Sequence, residues 1–132
     1  MILALLALTL SDVPPMRLEP GRCLLAIWTR GETVRRIALL EDEPARLTLV
    51  LDGKRRVLPR LSSDGEQVSG FVPRASYGDA AVTVVLDLAL ETRAGLADGA
   101  VANAGSLRLQ PASGDALVLP VGAIAGCQPA PR

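Results

Sequence analysis

The chain has 132 residues, enough for one domain with a modest core, and its 49% apolar content excludes a disordered or fibrous protein. Fourteen basic and fourteen acidic residues cancel, so no net field draws in nucleic acid or anionic lipid; the absence of histidine removes imidazole bases, imidazole metal ligands and imidazole pH switches. One Trp, one Tyr and one Phe are too few rings for a nucleic-acid stacking platform, and ten prolines with twelve glycines favour short elements joined by turns.

Residues 1–11 read MILALLALTLS, with a purely apolar run from Ile2 to Leu8. The run is too short to span a bilayer as a helix, which takes about 20 residues. It matches the apolar heart of a secretory signal, with Thr9 and Ser11 at a suitable spacing for cleavage before Asp12, although no basic residue precedes it. The other reading makes Ile2–Leu10 a first strand of the fold. Residues 12–21 then form an N-terminal arm in which Pro14, Pro15 and Pro20 oppose regular structure. The domain proper is 22–128, followed by a tail at 129–132.

Cys23 and Cys127 are the only cysteines and bracket that domain. Their separation fits no metal-ligand or redox spacing, so in an exported protein they are expected to form a disulfide between the first and last strands. No metal or cofactor is expected.

Cys23–Thr29 is almost continuously apolar and reads as a buried strand, turned by Arg30-Gly31. Thr33–Leu40 is expected as a second strand and Glu41–Pro44 as a loop. Arg46–Leu51 places Leu47, Leu49 and Leu51 on one face, and Asp52-Gly53 signals a hairpin to Arg55–Leu58, ended by Pro59. Two registers are open. A two-residue loop sets Leu49 opposite Arg56; a three-residue loop sets it opposite Val57, which keeps apolar with apolar and is preferred.

Leu61–Glu66 and Pro73–Asp79 read as loops, with a short strand at Gln67–Val72. Ala81–Thr92 alternates most clearly, with Val82, Val84, Leu86, Leu88 and Leu90 on one side. Ala94–Gly105 reads as an irregular connection. Ser106–Gln110, Ala116–Val121 and Ala123–Cys127 complete about eight short strands, the pattern of an all-β antiparallel sandwich or small barrel.

Arg35, Arg36, Lys54, Arg55, Arg56 and Arg60 would form a basic patch if their strands were neighbours, or else an ordinary solvated face. Trp28 and Phe71 are possible interface anchors, with a core position beside the disulfide as the other reading of Trp28. Glu41, Asp42 and Glu43 offer oxygen ligands without an EF-hand spacing. Ser62, Ser63 and Asp64 have no histidine to act with, and read as turn residues. Asp52, Asp87 and Glu91 are the carboxylates nearest to strands, the minimum for a hydrolase that works without histidine.

The Asp52-Gly53 turn, Leu58 and the segment Ser62-Ser63-Asp64-Gly65-Glu66-Gln67-Val68, bracketed by terminal cysteines, resemble small periplasmic barrels that inhibit c-type lysozyme. Asp64 stands where that family has a second serine, and Val68 where it has a tyrosine. The resemblance implies a barrel and an inhibitory loop at 62–68. From the residues themselves, the expected role is non-catalytic: a binding or scaffolding domain in the periplasm or outside the cell. Its partner would be an envelope protein or glycan, with no nucleic acid and no stable membrane span.

Overall fold

The computed structural model describes residues 9–92 and 99–128. They form nine antiparallel strands: β1 (Leu10–Ser11), β2 (Cys23–Thr29), β3 (Arg36–Asp42), β4 (Ala45–Leu51), β5 (Lys54–Asp64), β6 (Arg74–Gly78), β7 (Val82–Glu91), β8 (Ala100–Pro111) and β9 (Leu117–Cys127). From β2 to β9 each strand pairs with the next, and β9 returns to pair with β2. The result is a closed eight-stranded up-and-down barrel, which settles the choice between sandwich and barrel. β1 lies outside the circuit, added to the end of β4.

The alternation in the sequence sets what points inward. Leu25, Ile27, Leu47, Leu49, Leu58, Val84, Leu86, Leu107 and Val121 are almost fully buried in one core, with Tyr77 the largest side chain among them. The interior is therefore filled by side chains. Ala123 and Ala125 on β9 face Ile27 and Leu25 on β2, so small residues meet large ones across that seam.

The β2–β9 seam joins the two ends of the chain. Cys23 and Cys127 are register partners there and are bonded to each other. The bridge thus joins the second and last strands in chain order, β2 being the first strand of the barrel circuit. Gly21 N–H donates to Gln128 O and Gln128 N–H to Arg22 O, continuing the pairing past it. Among the described residues no helix is long and apolar enough to cross a membrane.

Several boundaries differ from expectation. The Asp52-Gly53 hairpin takes the two-residue loop, with Leu51 opposite Lys54 and Leu49 opposite Arg56. Both loop residues have positive φ, 51° and 78°, the twist that suits a two-residue hairpin. The preferred register fails because the Asp52-Gly53 backbone takes the two-residue turn, and the half-buried Arg56 that this sets opposite Leu49 has Asp79 as partner for its guanidinium.

β3 starts later than expected and runs to Asp42, so Glu41 is a strand residue. Pro59 does not end β5. It pairs with Arg46 at the last rung shared with β4, after which β5 bends through an irregularity at Arg60/Ser62 and pairs with β6. A residue without an N–H is tolerated where one neighbour is exchanged for the next. Ser62–Asp64 and Arg74–Gly78, expected in loops, are strand. Gln67–Val72 holds only an isolated bridge between Val68 and Phe71.

Within the expected connection at 94–105, residues 94–98 lie outside the described residues, and Ala100–Gly105 belong to β8. A bulge between Ala102 and Ser106 shifts its register there. Gly105 lies where a Cβ would come within 2.7 Å of Asp87 O, so this close approach of β8 to β7 requires glycine. The expected signal at 1–11 and tail at 129–132 fall mostly outside the described residues. Leu10 and Ser11 are strand.

The arm crosses the outside of the barrel over β3 and β4. Val13 is 3% exposed, and beneath the arm lie Leu39 and Thr48, outward-facing yet buried. That cover explains why β3 is apolar on both faces.

Candidate functional site

Trp28 is the last outward residue of β2. Leu25 and Ile27 point into the barrel, so alternation turns the indole out, half-buried, at the opposite end of β2 from Cys23. It does not enter the core beside the disulfide. Its register partner on β9 is Gly122, whose missing side chain leaves the floor beside the ring open. Val34, 61% exposed, comes from the β2–β3 loop, and Ile124, 55% exposed, from the outer face of β9. With Val101 and Arg30 they line an open groove of about 840 Å³. The Arg36 guanidinium lies 5.6 Å from the centroid of the Trp28 ring, a cation–π contact that fixes one side of the indole.

The groove has one aromatic anchor, aliphatic walls and no carboxylate among its lining residues. It can desolvate an apolar group of a partner but supplies no nucleophile or general base. Phe71, the other expected anchor, is buried in the core at 2% exposure. It sits in a tight two-residue turn in which Val68 and Phe71 exchange backbone hydrogen bonds, which folds the ring inward.

The expected basic residues lie on β5, at the start of β3 and just before it, and are divided among different tasks. Arg35 donates to Asp12 Oδ1 at 2.8 Å and to Leu10 O at 2.9 Å. Arg36 serves Trp28 and Val13 O. Arg56 pairs with Asp79, whose carboxylate also accepts from the N–H groups of Ala81 and Val82. The Ala81 N–H first, then Arg56, holds the Asp79 carboxyl below the usual carboxylate range. Lys54, Arg55 and Arg60 are exposed on β5, with Arg60 opposite Tyr77. Burial pushes the Tyr77 phenol up to about 12, against a smaller opposite pull from Arg60.

Glu41 is buried on the outside of β3, held by both nitrogens of the Arg46 fork at 2.9 Å and by Arg22 at 3.7 Å. That fork is a structural clasp between neighbouring strands. Among the described residues no group of three His, Cys, Asp or Glu side chains could hold a metal ion.

Ser62 shares a hydroxyl hydrogen bond of 2.6 Å with Ser76, and Asp64 pairs with Arg74 at 3.0 Å, so this segment is tied into the β5–β6 ladder. Asp52 sits in the β4–β5 turn, Asp87 on the outer face of β7, and Glu91 at the far end of β7. The three carboxylates are not brought together.

The groove itself was missed in the sequence, although one signal for it was present. Once Val121, Ala123 and Ala125 point inward, Gly122, Ile124 and Gly126 must point out, and an outward isoleucine between two glycines marks an apolar ridge with open flanks. Compared with known proteins, the chain matches no family model, no curated protein and no solved structure.

Proposed function

We propose that the protein is a non-catalytic binding barrel of an oxidising, extracytoplasmic compartment, which takes an apolar segment of a protein partner on the Trp28 groove. The observation that carries this reading is the cluster of Trp28, Val34 and Ile124 around the glycine floor. Aromatic side chains in partly desolvated pockets are the usual anchors of protein interfaces, and exposed apolar patches rimmed by polar residues mark interaction sites when they are large. The filled barrel interior directs binding to the outside. The Cys23–Cys127 bridge fits the compartment, since such bonds persist where thiols are not kept reduced.

The test is in-cell photocrosslinking. A photoreactive residue at Val34 or Ile124 is expected to give one discrete protein adduct, lost with Trp28→Ala. The same residue at Val57, exposed on β5, is expected to give none. Equal labelling at all three positions, or none at any, would overturn the groove reading.

A second reading, inhibition of a lytic enzyme, draws on the barrel and the loop at 62–68 that the resemblance to lysozyme inhibitors implies. The engagement of Ser62 and Asp64 within the β5–β6 ladder weighs against it. Stoichiometric protein that stops c-type lysozyme from clearing a cell suspension would favour it over the groove; unchanged clearing is expected.

A further inference from the structure

The barrel's hydrogen-bond circuit runs from β2 to β9 and back without β1. Residues 9–13 nevertheless sit in a well-defined slot, where the β3–β4 ladder stops at Ala38 and Leu49 and the end of β4 would otherwise be an open edge. Leu10 pairs with Leu51 and Ser11 with Val50. Thr9 and Asp52 are joined twice: Thr9 N–H donates to Asp52 Oδ1 at 2.9 Å, and Asp52 N–H donates to Thr9 O at 3.0 Å.

Arg35 donates to Leu10 O and to Asp12 Oδ1. Val13 N–H donates to Arg36 O at 2.9 Å, and Arg36 Nε returns a bond to Val13 O at 3.0 Å. Two side chains anchor the segment: Leu10 enters the core, and Val13 is buried on the outside. Main-chain pairing along an edge, with pockets for selected side chains, is how an extended peptide is recognised by strand addition.

We propose that this slot is a strand-acceptor site for an extended peptide carrying an apolar residue, a small residue, a carboxylate and a branched apolar residue in succession. Residues 10–13 are its resident occupant. The chemistry of the occupant is read from the segment seated there. The Leu10 position takes an apolar side chain into the mouth of the barrel. Arg35 binds the backbone and a carboxylate together, and the Arg36 main chain closes the far end. Cleavage after Ser11 would empty the Leu10 half of the slot and leave the barrel circuit intact.

The test uses the full chain with a Leu10→Asp substitution, which expels the resident strand, and a fluorescent synthetic peptide spanning Thr9–Pro15. Anisotropy is expected to show the peptide binding this variant at least about tenfold more tightly than the wild-type chain, where the resident competes. A peptide with the Leu10→Asp change is expected not to bind, and Arg35→Ala in the protein to weaken binding. Equal binding to both chains, or to neither, would overturn the proposal.

Hydrogen exchange on the wild-type chain gives a second reading that needs no variant. Residues 9–13 are expected to exchange well before the β2–β9 seam. Exchange of both at one common rate would make the segment integral to the barrel and overturn the proposal. A dimer that forms on concentration, with the slot filled by a second copy, would overturn the peptide reading as well.

Discussion

Thr48 offers a test in which removing a polar group should stabilise the protein. Its side chain points outward on β4, but Leu39 beside it and the arm above leave the residue 1% exposed, and its hydroxyl has no hydrogen-bond partner among the described residues. A buried hydroxyl without a partner costs about 1–3 kcal/mol. Thr48→Val removes that cost and puts a methyl group in the same volume.

A net stabilisation of about 1 kcal/mol is expected, which for a chain of this length raises Tm by about 4 °C. The assay is paired thermal and urea unfolding of wild type, Thr48→Val and Thr48→Ser, the last retaining the hydroxyl. The reasoning is refuted if Thr48→Val loses stability, since the hydroxyl would then be hydrogen-bonded in the folded protein.

The Cys23–Cys127 bridge closes a loop with a sequence separation of 104. In the chain-entropy picture its removal by paired Cys→Ala substitutions costs about 4–5 kcal/mol; a loss under about 1 kcal/mol in urea unfolding would contradict this. Tyr77 is the single tyrosine, so absorbance at 295 nm reads it alone. Its folded pKa is raised to about 12 from an ordinary value of 10, so its contribution is full below pH 10 and is lost as pH rises through 12. About 2–3 kcal/mol of stability should fade across that window, and Tyr77→Phe should abolish this part of the loss. Gly105→Ala places a Cβ 2.7 Å from Asp87 O and 2.8 Å from Leu88 Cδ2, so β8 must move; a loss of about 2 kcal/mol or more is expected in thermal unfolding. An unchanged Tm would show that the bulge yields freely.

The inward set is legible where every second residue of a strand is apolar, as Val82, Val84, Leu86 and Leu88 on β7, all buried; on β9 the same reading holds for Val121 but not for Leu117, which is exposed. The disulfide was legible because two cysteines at the ends of a closed sheet become neighbours. Strand at Ser62–Asp64 and Arg74–Gly78 was not. There β5 and β6 are held by main-chain pairing and by polar pairs such as Ser62–Ser76, which leave little apolar period to read.

The hairpin register is not legible from pairing apolar with apolar, because the Asp52-Gly53 turn sets Arg56 opposite Leu49 and Asp79, distant in sequence, takes its guanidinium. Of the site, Trp28 was picked out for its type, but its direction required the register of β2 against β9. The basic patch depends on whether the strands that carry it are neighbours, which the sequence does not give; β4 lies between β3 and β5, and Arg35 and Arg36 serve the arm and Trp28 while Arg56 turns to Asp79.

The proposed function requires an oxidised barrel outside the cytoplasm. The most direct measurement is the intact mass of the native chain in separated cell fractions, alkylated once directly and once after reduction. The account predicts an extracytoplasmic species whose two thiols react only after reduction. A cytoplasmic species with both thiols freely alkylated would contradict it.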